Sequence, residues 1–230
     1  MKVFQLNVKV LCEINIRAEE AQGEICSFID KTLGKEEEFL KLHKNRGYKM
    51  YSFNSLYPLE KDKVYKKGNT YTFNLRTIDP ALGLYLLENL KNTSTSSLKG
   101  LKVDIKEIKK HPIEKIYSLS PTTMKNDFGY WKKHMSLDEY EKRLRENMIK
   151  KYKDYTGEDI REDFPLFSLI EFNNKKPIGV RYKNVKILSD KITLIIEPDE
   201  LSQKIAYMAI GVGLLEMNSR GFGYVNYKWF

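Results

Sequence analysis

The order of patterns along the chain predicts an α+β protein made of two successive β-α-β-β-α-β units with antiparallel sheets. Three observations carry that reading. The chain opens on a strictly alternating apolar stretch, each half contains two stretches of helical periodicity, and the apolar runs between them have strand length.

From Phe4 to Ile16 every even position is apolar (Phe4, Leu6, Val8, Val10, Cys12, Ile14, Ile16) while most odd ones are polar. That is period two, a strand with one buried face. Ala21, Ile25, Phe28, Ile29 and Leu33 follow at helical spacing, and Gly34 supplies a C-terminal stop. A basic segment leads to the strand-like YKMYSFNSLYP and, after a turn, YTFNLRTI. Asp79-Pro80 sets a cap residue before a proline at the first helical position, opening LGLYLLENL. NTSTSSLKG reads as a polar loop and LKVDIKEIKK as a strand.

The second half repeats the order. IYSLSPTTM is strand-like, and Ser136 with Glu139 forms a capping box ahead of a charged helix reaching about Tyr152. FPLFSLIEF, IGVRYKNVKIL and KITLIIE supply strands. Pro198 and Asp199 open a helix with Leu201, Ile205, Met208 and Ala209 on one face, and YVNYKWF closes the chain as a strand. Two such units predict tandem ferredoxin-like (RRM-like) domains, 1–111 and 112–230, divided near His111-Pro112.

With 230 residues, 41% of them hydrophobic, the chain can bury a core in one large domain or two of common size. Its formal charge of +9 favours polyanionic partners, nucleic acid or an anionic membrane surface. Nothing resembles a basic amphipathic helix with bulky apolar anchors, which argues against the membrane. Cys12 and Cys26 are too few for a disulfide framework or a metal site of their own. The opening MKVFQLNVKV is too polar for a signal peptide and no apolar run approaches the ~20 residues of a membrane span. A reducing cytoplasm is therefore the expected location. The three histidines are far apart in sequence, so no metal and no cofactor is expected.

The segment GVGLLEMNSRGFG, 211–223, lies between a helix and the last strand. The dinucleotide and P-loop patterns run strand, glycines, helix, so a mononucleotide site does not fit this order. Glycine-rich backbone can instead approach a long anion closely, with Arg220 adding charge and Asn218 and Ser219 neutral donors. A connection that merely needs positive φ angles is the plainer reading of the same glycines.

Upstream, LHKNRGYKMYSFNSLYP carries His43, Lys44, Arg46 and Lys49, and positions 41–67 hold eight Lys or Arg against two acids. Metal-free RNA cleavage needs a base for the ribose 2′-hydroxyl, an acid for the departing 5′-oxygen and a cation for the charge growing on phosphorus. Histidine, with an unperturbed pKa of about 6.5, suits the proton transfers, and lysine the charge. A histidine in a basic loop is most often simply solvated.

Taken together, the tandem units and the glycine segment resemble the CRISPR precursor-RNA processing endoribonucleases of the repeat-associated RNA-binding superfamily. That family's signature is Gly-hydrophobic-Gly, five residues, Gly-hydrophobic-Gly before the last strand. Here it reads Gly213-Leu214-Leu215, EMNSR, Gly221-Phe222-Gly223, with Leu215 at the second glycine position. The family places its catalytic histidine in the basic segment with a lysine six residues on, which His43 and Lys49 match. Some members add a tyrosine from the first helix. Phe28 stands at that place here, leaving Tyr48, Tyr51 or Lys49 alone to complement His43.

The resemblance implies a metal-independent endoribonuclease that cuts CRISPR repeat RNA and leaves a 2′,3′-cyclic phosphate and a 5′-hydroxyl. Gly213, Asn218, Ser219, Arg220, Gly221 and Gly223 would grip the RNA, with Lys44 and Arg46 beside the catalytic pair. CRISPR repeat RNA is the expected partner, with room for a CRISPR effector complex and a homodimer. The departures at Phe28 and Leu215 favour the alternative, a catalytically silent RNA-binding subunit of the same fold.

A second basic stretch, Lys125 to Lys153, holds nine Lys or Arg against five acids with Tyr130, Trp131 and Tyr140 interleaved. Such cations can follow a phosphate backbone while aromatics stack on bases. Much of it is the solvated face of a charged helix, so Lys125, Lys132 and Lys133 are the favoured contacts.

Overall fold

The computed structural model describes residues 1–44, 47–182 and 185–230, the side chains of Leu42, His43 and Lys44 excepted. The opening alternation becomes strand β1 (Val3–Cys12), whose Leu6, Val8, Val10 and Cys12 are fully buried. The strand stops short of the predicted Ile16. Beyond Cys12 the chain leaves the sheet, and β2 (Ile16–Arg17) pairs instead with β4 (Val64–Tyr65). Helix α1 (Ala21–Leu33) follows as predicted and ends at Gly34, whose amide donates to Asp30 O. A short helix α2 (Glu37–Lys44) then occupies part of the basic segment that the sequence leaves without structure.

β3 (Tyr51–Phe53) and β5 (Thr70–Thr77) are the next sheet strands. The Asp79 carboxylate accepts from the amides of Ala81 and Leu82, starting α3 (Pro80–Asn89) at the predicted cap. A 3-10 turn (Leu90–Asn92) leads into β6 (Leu98–Ile108). The antiparallel sheet runs β3-β5-β1-β6.

The second unit has β7 (Ile113–Ser118), α4 (Leu137–Thr156), β8 (Phe167–Phe172), β11 (Ile192–Ile196), α5 (Glu200–Val212) and β12 (Val225–Trp229). The Ser136–Glu139 capping box forms in both directions, and Gly157 ends α4 at φ 71°. Its sheet runs β12-β7-β11-β8. By order in their own unit, the strands of both sheets therefore read 2-3-1-4, the ferredoxin-like arrangement twice over. The stretch IGVRYKNVKIL, predicted as one strand, is a hairpin of β9 (Ile178–Tyr182) and β10 (Val185–Ser189) inserted before β11. Among the described residues no helix is long and apolar enough to cross a membrane.

Helix α5 binds the units together. Every residue from Ile205 to Val212 is buried, as a helix enclosed on all sides requires. One side meets its own sheet, while Val3 and Ile108 of the first sheet and Ile78, just past the end of β5, join the same apolar cluster. Tyr207 donates its hydroxyl to Ile108 O at 2.5 Å and accepts from the Val3 amide at 3.2 Å. Arg76 of β5, itself buried, donates to Val225 O at 2.7 Å and lies 4.6 Å from the Tyr224 ring centre. Tyr207→Phe removes the hydroxyl that Ile108 and Val3 share and should cost about 1–3 kcal/mol. Urea denaturation reads this as a lower midpoint, and an unchanged midpoint would refute the bridge.

Candidate functional site

Where α5 ends, the glycine-rich segment folds back on itself. The Leu214 amide donates to Gly223 O at 2.9 Å, and the Gly223 amide to Pro121 O at 2.9 Å. Asn218 Nδ2 donates to Leu214 O and Phe222 O at 2.8 and 3.1 Å, so this side chain joins the two arms from inside. Asn218, Ser219 and Arg220 form a 3-10 turn between them. Leu215, at the second glycine of the signature, adopts φ 54° and has its side chain fully buried. The backbone there keeps a glycine-like conformation, at a cost of about 1–2 kcal/mol for an L residue, and the leucine does not obstruct the surface.

The turn rests on α1. Gln22, Cys26 and Asp30, spaced by four, make a stripe toward it. Gln22 Nε2 donates to Arg220 O at 2.6 Å. The Arg220 guanidinium donates to Asp30 Oδ2 at 2.5 Å and to Cys26 Sγ at 2.7 Å. Burial disfavours that guanidinium, but Cys26 and Asp30 outweigh it and raise its pKa. Arg220 is thus committed to α1 as well as lining the cleft. Burial also pushes the Cys26 thiol up to about 11, with Asp30 adding to it. Phe28 points elsewhere, fully buried against Phe73 in the first core, so α1 meets the segment with Gln22, Cys26 and Asp30 and not with the residue the sequence singles out.

In front of the turn lies a cleft of about 610 Å³. Tyr48, Lys49 and Tyr51 line it from the segment after α2, Lys125 and Lys151 from the second unit, Tyr182 from β9, and Leu215 to Arg220 from the glycine-rich segment. Burial lowers the pKa of Lys49, and the neighbouring Arg220 lowers it further. Burial raises the phenol of Tyr48, with Glu216 and Asp154 contributing. Tyr51 is buried, its phenol pushed far up by desolvation.

The cleft therefore gathers Lys49, Lys125, Asn218, Ser219 and Arg220. His43 lies in the last turn of α2, upstream of the cleft-lining Gly47, with Lys44 next to it. Arg46 and the side chains of His43 and Lys44 lie outside the described residues. Gly213, Gly221 and Gly223 shape the segment from behind. A Cβ at Gly221 would stand 2.6 Å from Gln22 Cγ, so this glycine serves contact with α1.

Lys132 and Lys133 stand exposed on a 3-10 turn (Trp131–Lys133), outside the cleft lining. The stacking role expected of Trp131 and Tyr140 is corrected by their burial. Trp131 donates to Asp190 at 2.7 Å and packs on Tyr140 and Phe172, so these rings are core. Sequence reasoning missed Lys151. The signal was present, since Lys151 falls on the stripe Tyr140, Leu144, Met148, Tyr152 that α4 buries.

The C-terminal part of the chain, residues 103–227, matches the family model described as CRISPR associated protein Cas6, C-terminal. No curated protein matches the chain by sequence. Among solved structures, one described as a RAMP protein binding different RNA substrates superposes with a TM-score of 0.73 at 20% identity, covering 98% of this chain and 99% of that one. A Cas6-related protein from Pyrococcus furiosus gives 0.67 at 19% identity over 98% of each chain. A Cas6 product complex gives 0.63 at 18% identity, covering 99% of both. At such identities these likenesses concern the fold, while the family model covers more than half of the sequence. On that match the chain belongs to the Cas6 family of CRISPR-associated proteins.

Proposed function

We propose that the protein is a metal-independent endoribonuclease that cuts CRISPR repeat RNA within each repeat. The observation that carries the reading is the meeting of Lys49 with the glycine-rich segment in one cleft, a few residues after the helical turn that bears His43. Family membership and the likeness to a Cas6 product complex support it. With the units divided at 111/112, the catalytic pair comes from the first with Lys44 and Arg46 beside it, and the glycine-rich segment from the second, so neither suffices alone.

The reaction is an in-line transfer. A base removes the proton of a ribose 2′-hydroxyl, the 2′-oxygen bonds to the adjacent phosphorus, and the P–O5′ bond breaks with its electrons on the 5′-oxygen. That oxygen takes a proton, leaving a 2′,3′-cyclic phosphate and a 5′-hydroxyl. His43 serves one or both proton transfers, and Lys49 steadies the charge on the non-bridging oxygens. Of the two candidate tyrosines, Tyr48 is the accessible one; its raised pKa keeps it a hydrogen-bond donor. Lys44, Arg46, Lys125, Ser219 and Arg220 hold the phosphate chain, with Lys132 and Lys133 contacting a more distant part. The product stays bound and passes to an effector complex in the cytoplasm.

The test is cleavage of the host's repeat RNA in excess EDTA beside a substrate carrying one 2′-deoxy nucleotide at the cut site. Cleavage of the all-ribose RNA alone is expected. Tight binding with no cleavage of either RNA would establish the silent-binder alternative instead.

A further inference from the structure

Lys151 is only 2% exposed, on the apolar stripe of α4. Its ammonium donates to Gly213 O at 3.0 Å, Leu215 O at 2.6 Å and Asn218 Oδ1 at 2.7 Å. Three protons thus meet three acceptors, all in the glycine-rich segment. Asn218 extends the network, since its amide reaches Leu214 O and Phe222 O. A methionine would fill the same space without desolvating a charge, and an ammonium is tolerated in a core only when acceptors surround it. Stability alone does not account for a lysine here.

We propose that Lys151 is a positioning residue, an ammonium latch that holds the glycine-rich segment in the shape that grips RNA. The inference rests on the reading that this segment binds RNA. Lys151 borders the cleft, but at 2% exposure its ammonium is turned to the backbone it fixes. Burial pulls its ammonium down to about 7, and Glu216 opposes that shift. Among the described residues, Glu216 of the segment and Tyr48, whose ring centre lies 5.9 Å from Nζ, are the titratable groups facing it. Lys49, Lys125 and Arg220 line the same cleft. Once neutral, Lys151 has two protons for three acceptors and no charge, so the latch is complete below its pKa and loosens as pH rises through it.

The test uses the full chain and repeat RNA with a 2′-deoxy nucleotide at the cut site, so that cleavage does not intervene. Affinity is measured from pH 5.5 to 9 for wild type, Lys151→Met, Asn218→Ala and the double variant. Hydrogen exchange of residues 213–223 is followed without RNA. Lys151→Met should bind about tenfold or more weakly at pH 7 and exchange faster in the segment while the first sheet keeps its protection. Its affinity should be flatter with pH than that of wild type, which weakens toward pH 9. The double variant should be little worse than either single one, because both break one network. Wild-type affinity and segment exchange retained in Lys151→Met overturn the proposal. If Lys151→Met does not fold, Asn218→Ala decides, since Asn218 is one of the three acceptors of the ammonium, and wild-type affinity and segment exchange retained in that variant overturn the proposal. If wild type fails to bind the RNA, the functional reading falls, while segment exchange in Lys151→Met still shows whether the latch exists.

Discussion

Replacing His43 with alanine should lower repeat-RNA cleavage by about 10²–10⁴-fold, the range over which a positioned acid or base acts. Affinity for the 2′-deoxy substrate should stay within a few-fold of wild type, because the proposed grip is spread over Lys44, Arg46, Lys125 and the glycine-rich segment and does not rest on His43. Lys49→Ala should cost about 10²–10³-fold, as loss of a group that stabilises transition-state charge does, and Lys49→Arg should recover part of it. The pH profile separates the two. A histidine acting as base gives a limb rising with pH near its unperturbed value of about 6.5. Lys49 contributes only as an ammonium, so its help is complete below its pKa and lost as pH rises through it. Burial and Arg220 lower that pKa, and the alkaline fall should begin well below the ~10.4 of an exposed lysine. Single-turnover rates from pH 5 to 10 in EDTA read both limbs. Cleavage by His43→Ala at close to the wild-type rate would remove His43 from the mechanism. An alkaline limb unchanged in Lys49→Arg would assign it to another group.

The parts of this fold legible in sequence are those whose cause is local. The caps at Asp79, Ser136 and Asp199 are made by side chains two or three residues from the amides they satisfy, and the alternation of β1 is its own record of burial. Features whose partners lie far away were not legible. Helix α2 carries few apolar residues, and Phe39 finds its partner in Tyr85 of α3, with ring centres 4.1 Å apart. The basic stretch after Lys125 suggested rings stacking on RNA, but Asp190, sixty residues on from Tyr130, draws Tyr130 and Trp131 toward the second core. The pairing of Arg220 with Asp30 was likewise hidden, because nothing local reveals Asp30 of the other unit across from it. In the candidate site, motif spacing led to Lys49 and to the segment, whereas Lys151 needed the helix face to be laid against that segment.

The glycines of the segment invite a sharper test, because the structure gives Gly223 two separate reasons to be glycine. Its φ of 65° disfavours any L side chain, and a Cβ would stand 2.1 Å from Leu214 O and 2.8 Å from Asn218 Nδ2. The first reason costs an alanine about 1–2 kcal/mol. The second forces apart the two arms that the Leu214–Gly223 hydrogen bond and Asn218 hold together, and such overpacking adds about 1–3 kcal/mol. Gly157, at the end of α4, isolates the first term. Its φ is 71°, and among the described residues nothing lies within 4 Å of its would-be Cβ. Gly157→Ala should therefore lower the melting temperature by roughly 2–8 °C and leave RNA affinity alone, while Gly223→Ala should lower it by roughly 4–20 °C. Gly223→Ala should also bind the 2′-deoxy RNA about tenfold or more weakly, since the arms it separates carry the turn that faces the cleft. Differential scanning calorimetry and a titration of each variant against that RNA give both numbers. Equal melting temperatures for the two variants would mean that the arms yield without strain, leaving positive φ as the whole reason for the glycine. A stability loss confined to Gly223→Ala without any loss of affinity would instead assign Gly223 to folding and move the RNA grip elsewhere in the cleft.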